Sequence, residues 1–238
     1  MNRLDLILPA YNPREGWEQY ALERIDELRR LRPRWEIHLY IAPDASKVGH
    51  NQAVRQALSE GAQGQITYID YARNRGKGYA LRSAVAQTKA SYMLYTDWDF
   101  PFSTESYLQV LDALEAGADV VLPTRERSEY MQKLSPMRKF LSGGSRLINR
   151  LLLNLPANDT QGGLKAFGAL GRKAFLSTRI DRFLFDTEFI ALATRRRLNI
   201  AITRCHVRPE IVLSSMSFAT LRSELRYIPR LIRARWFS

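Results

Sequence analysis

Cysteine is almost absent: Cys205 is the one thiol in 238 residues. That excludes an intrachain disulfide framework and cysteine-based zinc sites, and it fits a reducing compartment. Histidine is scarce too. His38, His50 and His206 show no metal-ligand spacing and are given no role, and Cys205 reads as a buried strand residue. No apolar run approaches the roughly 18–20 residues of a membrane span, so any membrane contact is expected to be peripheral. The first residues, Met1-Asn2-Arg3-Leu4-Asp5, put an acid where a secretory signal needs apolar residues. No internal repeat, low-complexity tract or long Gly/Ser linker divides the chain, which favours one domain.

What the sequence does have is charge of one sign. Lys and Arg number 36 against 24 Asp and Glu, a net of +12. The excess is uneven: residues 1–100 hold 14 basic and 12 acidic side chains (net +2), and residues 101–238 hold 22 and 12 (net +10). The partner of the second half is expected to be anionic: nucleic acid, phosphate or a membrane surface.

The first half alternates short β-like runs with amphipathic stretches. Strands are expected at Leu4–Leu8, Glu36–Ala42, Ile66–Ile69, Tyr92–Thr96 and Asp119–Leu122, with helices at Glu18–Leu31, Ala53–Leu58, Tyr79–Thr88 and Tyr107–Ala116. Repeated βα units predict an α/β domain, a largely parallel sheet with helices on both faces. Ligands on such sheets sit beyond the carboxyl ends of the strands. In the second half, Pro136–Leu155 reads as helical with a break at Gly143-Gly144, Ala157–Gly163 as a polar loop, Asp186–Arg197 as a helix and Ile200–Val207 as an edge strand.

Asp97-Trp98-Asp99 follows an apolar run and so falls at a strand's carboxyl end. Two acids at this spacing can share a hard divalent cation with substrate phosphates; alone, the triplet reads as a loop with two solvated acids. Pro9-Ala10-Tyr11-Asn12, Asp44 and Asn74-Arg75-Gly76-Lys77-Gly78 follow the first three strands and should line the same edge. Gly76 and Gly78 permit close backbone approach, and a new helix N-terminus favours phosphate. Gly-Lys-Gly by itself is equally a plain turn before a helix. It is neither a P-loop nor the dinucleotide fingerprint, since position 81 is Leu.

Taken in order, Pro9 to Asn12, Asn74 to Gly78, Asp97 to Asp99, Asp159-Thr160-Gln161-Gly162-Gly163-Leu164-Lys165 and Phe185-Asp186-Thr187-Glu188 resemble family 2 glycosyltransferases. The branch they resemble is that of the dolichyl-phosphate mannose and glucose synthases and their bacterial polyprenyl-phosphate relatives. The resemblance implies a GT-A fold, Rossmann-like, over residues 1–217, a nucleotide-sugar donor (UDP- or GDP-linked), Mg²⁺ or Mn²⁺, and inversion at the anomeric carbon. It assigns Pro9, Ala10, Tyr11, Asn12, Asp44, Asn74 and Lys77 to the donor, and Asp97 and Asp99 to the metal, with Asp97 also on the donor. It assigns the Asp159 to Lys165 segment, Gln161 included, to the sugar and acceptor side, and Asp186 and Glu188 to the reaction centre. Arg125 and Arg138, with Lys139 as a rival, would clamp a lipid phosphate. One departure stands out: the family usually has two successive acids after strand two, and here Pro43 takes the place of the first.

A phosphate acceptor needs no protein base, because its second pKa is about 6; it needs charge compensation, which the arginines and metal would supply. A hydroxyl acceptor would need one, and Asp186 or Glu188 would be the candidates; as plain structure, the two are an acid pair at a helix N-terminus. At the end of the chain, Phe218, Leu221, Leu225, Ile228, Ile232 and Trp236 recur at helical spacing beside Arg222, Arg226, Arg230 and Arg233, with Pro229 expected to kink the helix. Residues 218–238 therefore read as a basic amphipathic helix, packed on the core or lying on an anionic membrane face. The partners expected are a nucleotide sugar, a lipid phosphate, the cytoplasmic membrane surface and a membrane protein to lean on, but not nucleic acid. The alternatives are a family 2 enzyme with a hydroxyl acceptor and a non-catalytic basic binding protein.

Overall fold

The computed structural model describes residues 2–125, 149–150, 153–157, 159–211, 224 and 226–237. Seven strands form one sheet in the order β3-β2-β1-β4-β6-β5-β7. The strands are β1 (Asn2–Pro9), β2 (Trp35–Ala42), β3 (Ile66–Tyr68), β4 (Tyr92–Thr96), β5 (Val120–Arg125), β6 (Leu164–Phe167) and β7 (Ile200–Cys205). The helices are α1 (Trp17–Leu31), α2 (Gln52–Gly61), α3 (Lys77–Gln87), α4 (Thr104–Glu115), α5 (Ala169–Leu176), α6 (Phe185–Arg195) and α7 (Ile228–Trp236). The expected α/β class and mostly parallel sheet hold. β1 to β4 pair in parallel, as do β5 and β7, while β6 runs antiparallel between β4 and β5.

The reversal of β6 matters for the site. The parallel strands end at one edge, and an antiparallel strand must begin there. The segment before β6 is thereby delivered to the edge where β1, β2 and β4 finish. Sequence reading placed no strand at Leu164–Phe167 and no helix at Ala169–Leu176. Four residues with Lys165 in their middle carry too little alternation to register as a strand.

Side chains alternate across the sheet into two cores. Leu4, Leu6, Leu8, Ile37, Leu39, Ile41, Leu94 and Val121 pack with residues of α1, α2 and α4 on one face. Ile7, Tyr40, Met93, Tyr95, Val120, Leu122 and Phe167 pack with residues of α3, α5, α6 and α7 on the other. Each fully buried Leu, Ile or Phe is worth roughly 1.5–3 kcal/mol of transfer free energy, so both faces hold the sheet. Cys205 is buried at the edge strand β7, as expected.

Two expectations at the C-terminus are corrected. Pro229 falls in the first turn of α7, where its missing N–H costs nothing, so it starts the helix and does not kink it. The fully inward residues of α7 are Leu231 and Ala234, Ile232 packs partly buried against the same core, and Trp236 is exposed. Phe218, Leu221, Arg222 and Leu225 lie outside the described residues, as does most of the expected helix Pro136–Leu155. No helix among the described residues is long and apolar enough to cross a membrane.

Candidate functional site

β1, β2 and β4 end side by side, so the loops after Pro9, Ala42 and Thr96 share one edge. The turn after β1 is tied to the loop after β2. Asn12, at φ 45°, accepts from the Lys47 amide at 3.0 Å through Oδ1 and donates its own amide to Ser46 Oγ at 2.8 Å. Ala10 donates its amide to Ala42 O, and its carbonyl is 2.7 Å from His50 Nε2. Tyr11 stands out from this turn, half exposed.

Asp44 was assigned to the donor, but in the structure its buried carboxylate holds the next loop. Oδ1 accepts from Tyr71 Oη and the Arg75 amide, each at 2.8 Å; Oδ2 accepts from Asn74 Nδ2 at 2.8 Å and the Gly76 amide at 2.9 Å. Asn74 is thus a strut for Asp44. The amides of Gly78 and Tyr79, at the start of α3, go to Asp181 O at 2.8 and 3.2 Å. The expectation of an anion at this helix N-terminus is corrected: protein oxygens already fill these four amides. The glycines do allow close approach, but the approaching chain is the segment before α6. A Cβ at Gly76 would lie 2.6 Å from Asp181 O, and one at Gly78 would lie 2.5 Å from Ile180 O.

Lys77 points back over the edge, and its Nζ bonds Asp97 Oδ1 at 2.5 Å. Burial works against this ammonium, yet Asp97, Asp186 and Asp99 together push its pKa up. Burial, followed by the Asp97 charge, pushes the Asp99 carboxyl up as well. The Lys77 and Arg208 charges only partly offset that rise. Among the described residues no group of three or more His, Cys, Asp and Glu side chains comes together. An acid pair with hard oxygen donors fits Mg²⁺ or Mn²⁺ completed by substrate phosphates, and Asp97 and Asp99 are the residues that would hold it.

Across β4 the charges are buried and paired. Arg125, ending β5, forks onto Asp159 with Nε–Oδ2 at 2.7 Å and Nη2–Oδ1 at 2.6 Å. Burial alone would raise the Asp159 pKa, but Arg125, helped by Lys165, lowers it. The guanidinium edge expected to clamp a phosphate is thus occupied by Asp159. Arg138 and Lys139 lie outside the described residues, and Gln161 is half-buried in the strap leading to β6. Asp186 accepts from Tyr95 Oη and pairs with Lys165 Nζ at 2.9 Å. Glu188 accepts the Arg179 and Ile180 amides at 2.8 and 2.7 Å, and burial raises its pKa against those two bonds. Neither acid stands open as a base.

Sequence reading took Lys165 and Gly163 only as members of the Asp159 to Lys165 segment, with no individual role, and gave Tyr95 none. The signal was available for one: a lysine inside an apolar strand must have an acid partner. Gly163 had none, because the side chain it meets, Asp97, is brought there by strand pairing.

The sequence model for glycosyl transferase family 2 matches residues 5–177. The chain belongs to this family. Dolichyl-phosphate beta-glucosyltransferase of Dictyostelium discoideum is 26% identical to the family 2 chain over 215 residues, covering 86% of this chain and 65% of that protein. The Saccharomyces cerevisiae enzyme of the same name is 26% identical over 218 residues, with 83% and 64% covered. The human one is 21% identical over 215 residues, with 84% and 65% covered. The chain spans just under two thirds of the length of these relatives. Among solved structures, Mycobacterium tuberculosis glucosyl-3-phosphoglycerate synthase with Mn²⁺, UDP-glucose and phosphoglyceric acid aligns with a TM-score of 0.67 at 15% identity, covering 98% of this chain and 79% of that one. The same enzyme with UDP gives 0.68 at 16% identity, covering 98% and 80%. At such identity these matches speak for the fold, which is GT-A.

Proposed function

We propose that this chain is a metal-dependent hexosyltransferase that carries a sugar from a nucleotide-sugar donor to a polyprenyl or dolichyl phosphate. The observation that carries the acceptor choice is the fate of Asp186 and Glu188. A hydroxyl acceptor needs a general base within reach, and both candidate bases are buried and committed to other donors. A phosphate acceptor brings its own nucleophilic oxygen, ionised near neutral pH. The names of the relatives support the same acceptor. UDP bound in the fold neighbours favours a UDP-linked donor over a GDP-linked one.

In this reading Tyr11 offers an exposed ring to the donor's base, and the Asn12–Ser46 tie holds that turn still. Asp97 and Asp99 hold the divalent cation, which when bound neutralises the donor diphosphate and the departing nucleoside diphosphate. Lys77 adds a second cation beside it. The chain's surface at α7, where Trp236, Phe237, Arg226, Arg230 and Arg233 are exposed, faces the anionic cytoplasmic membrane in which such an acceptor resides.

Calorimetric titration of UDP-glucose and GDP-mannose, with and without Mn²⁺, tests the donor. Absence of metal-dependent binding of either would sink the enzyme reading. Transfer assays with a short-chain polyprenyl phosphate and the matching free alcohol test the acceptor; turnover of the alcohol alone would move the assignment to a hydroxyl acceptor. Co-sedimentation with anionic against neutral vesicles tests the membrane face, which equal binding to both would contradict.

A further inference from the structure

We infer that Lys165 is a positioning residue: it draws the Gly162–Gly163 backbone down onto Asp97 and so sets that carboxylate for its cation. This rests on the functional reading above and extends it to a residue without a role there.

Lys165 sits in the centre of the sheet with its side chain fully buried. Its Nζ makes two bonds, to Asp186 Oδ1 at 2.9 Å and to Gly162 O at 2.7 Å. The first neutralises charge; the second grips the main chain. In the β4–β6 register, Thr96 lies opposite Leu164. The next residues outward are Asp97 and Gly163, and they meet: a Cβ on Gly163 would lie 2.1 Å from Asp97 Oδ2 and 3.0 Å from its Cγ. Lys77 holds the other oxygen of Asp97 at 2.5 Å. The carboxylate is therefore gripped between an ammonium and a glycine backbone. Residues 159–163 are pinned at three further points, by Asp159 on Arg125 and by Thr160 Oγ1 on Thr187 Oγ1 at 2.9 Å and Asn149 Nδ2 at 3.1 Å. Lys165 pins the end of the strap that touches Asp97.

A buried ion pair is weak evidence of a stability role, because apolar residues of similar volume often replace one without loss. What an apolar pair cannot supply is a donor to Gly162 O. That bond separates a positioning role from a structural one, and it guides the test.

Two variants of the full chain attack the contact from different sides. K165M/D186N removes both charges, so no ion is left unpaired, and it removes the bond to Gly162. G163A keeps Lys165 but forces Asp97 to shift. Mn²⁺-dependent UDP binding by calorimetry should weaken about 10–100-fold in both, the range seen when a partner behind a metal ligand is lost. UDP binding without metal should stay close to wild type. Amide exchange at residues 160–164 in the metal-free double variant should quicken by roughly tenfold, the signature of a released local segment. A folded double variant with wild-type metal-dependent affinity and unchanged exchange overturns the inference. Equal losses with and without metal also overturn it, since they report general damage. Wild-type chain that fails to bind UDP with Mn²⁺ fells the functional reading itself, a failure seen before any variant is made.

Discussion

On the β1–β4 side of the sheet edge, Lys77 and Asp97 leave 20% and 37% of their side-chain surface open. On the β6 side, Lys165 and Asp186 leave 0% and 6%, and Arg125 and Asp159 leave 11% each. The pairs look alike on paper and do different work. A partly exposed pair contributes little to stability, because water can take either partner's place. In the proposed function it can therefore release Asp97 to a cation and Lys77 to a phosphate at low cost. A buried pair cannot exchange partners, since the stranded ion would stay desolvated. One side of the edge is thus built to change hands and the other to stay put.

The comparison is broken most directly at Lys165. K165M alone strands Asp186 and should cost about 3–5 kcal/mol, a fall in Tm of roughly 6–20 °C for a domain of this size, read by scanning calorimetry. A shift of only a degree or two would place Lys165 in the exchangeable class. Next comes Asp44, which sits on the open side yet is buried with four donors. D44A should cost about 2–4 kcal/mol through amides left without an acceptor and weaken UDP binding with it; unchanged denaturant midpoints would mean the loop holds itself. A subtler break uses acid. The folded-state pKa of Asp159 is lowered, so its pairing stabilises the protein above the unfolded pKa of about 3.9 and is lost as pH falls through the folded value. Wild type should lose stability to acid below about pH 4 more steeply than D159N, and identical acid titrations would remove the pair from the frame. The smallest effect is expected at Lys77. K77M should change stability by no more than about 1 kcal/mol while lowering Mn²⁺-dependent UDP affinity; a large loss of stability would put Lys77 in the fixed class instead.

Much of this was legible in the chain. The βα alternation of the first half placed β1, β2, β4, α1 and α4 within a few residues, because their burial follows the 2.0 and 3.6 periods. The same alternation put Asp97 and Lys77 at one edge. β6 escaped, being four residues long with a lysine at its centre. Gly76 and Gly78 were recognised as places of close approach, but the approaching partner is the carbonyl chain of Ile180 and Asp181, about a hundred positions away, and no local pattern names it. The net +10 of residues 101–238 suggested arginines free for an anion; Arg125 turned out to be spent on Asp159, because a guanidinium taken out of water must find a carboxylate.

By itself, then, the sequence determined the α/β class, the sheet edge that carries the candidate site and the acids that lie there, since these follow from short-range periodicity and from where strands stop. Tertiary structure alone decided which charges remain available. Whether Asp44, Arg125 and Asp186 face a ligand or a neighbour depends on partners far away in the chain, and burial makes each of those partnerships obligatory.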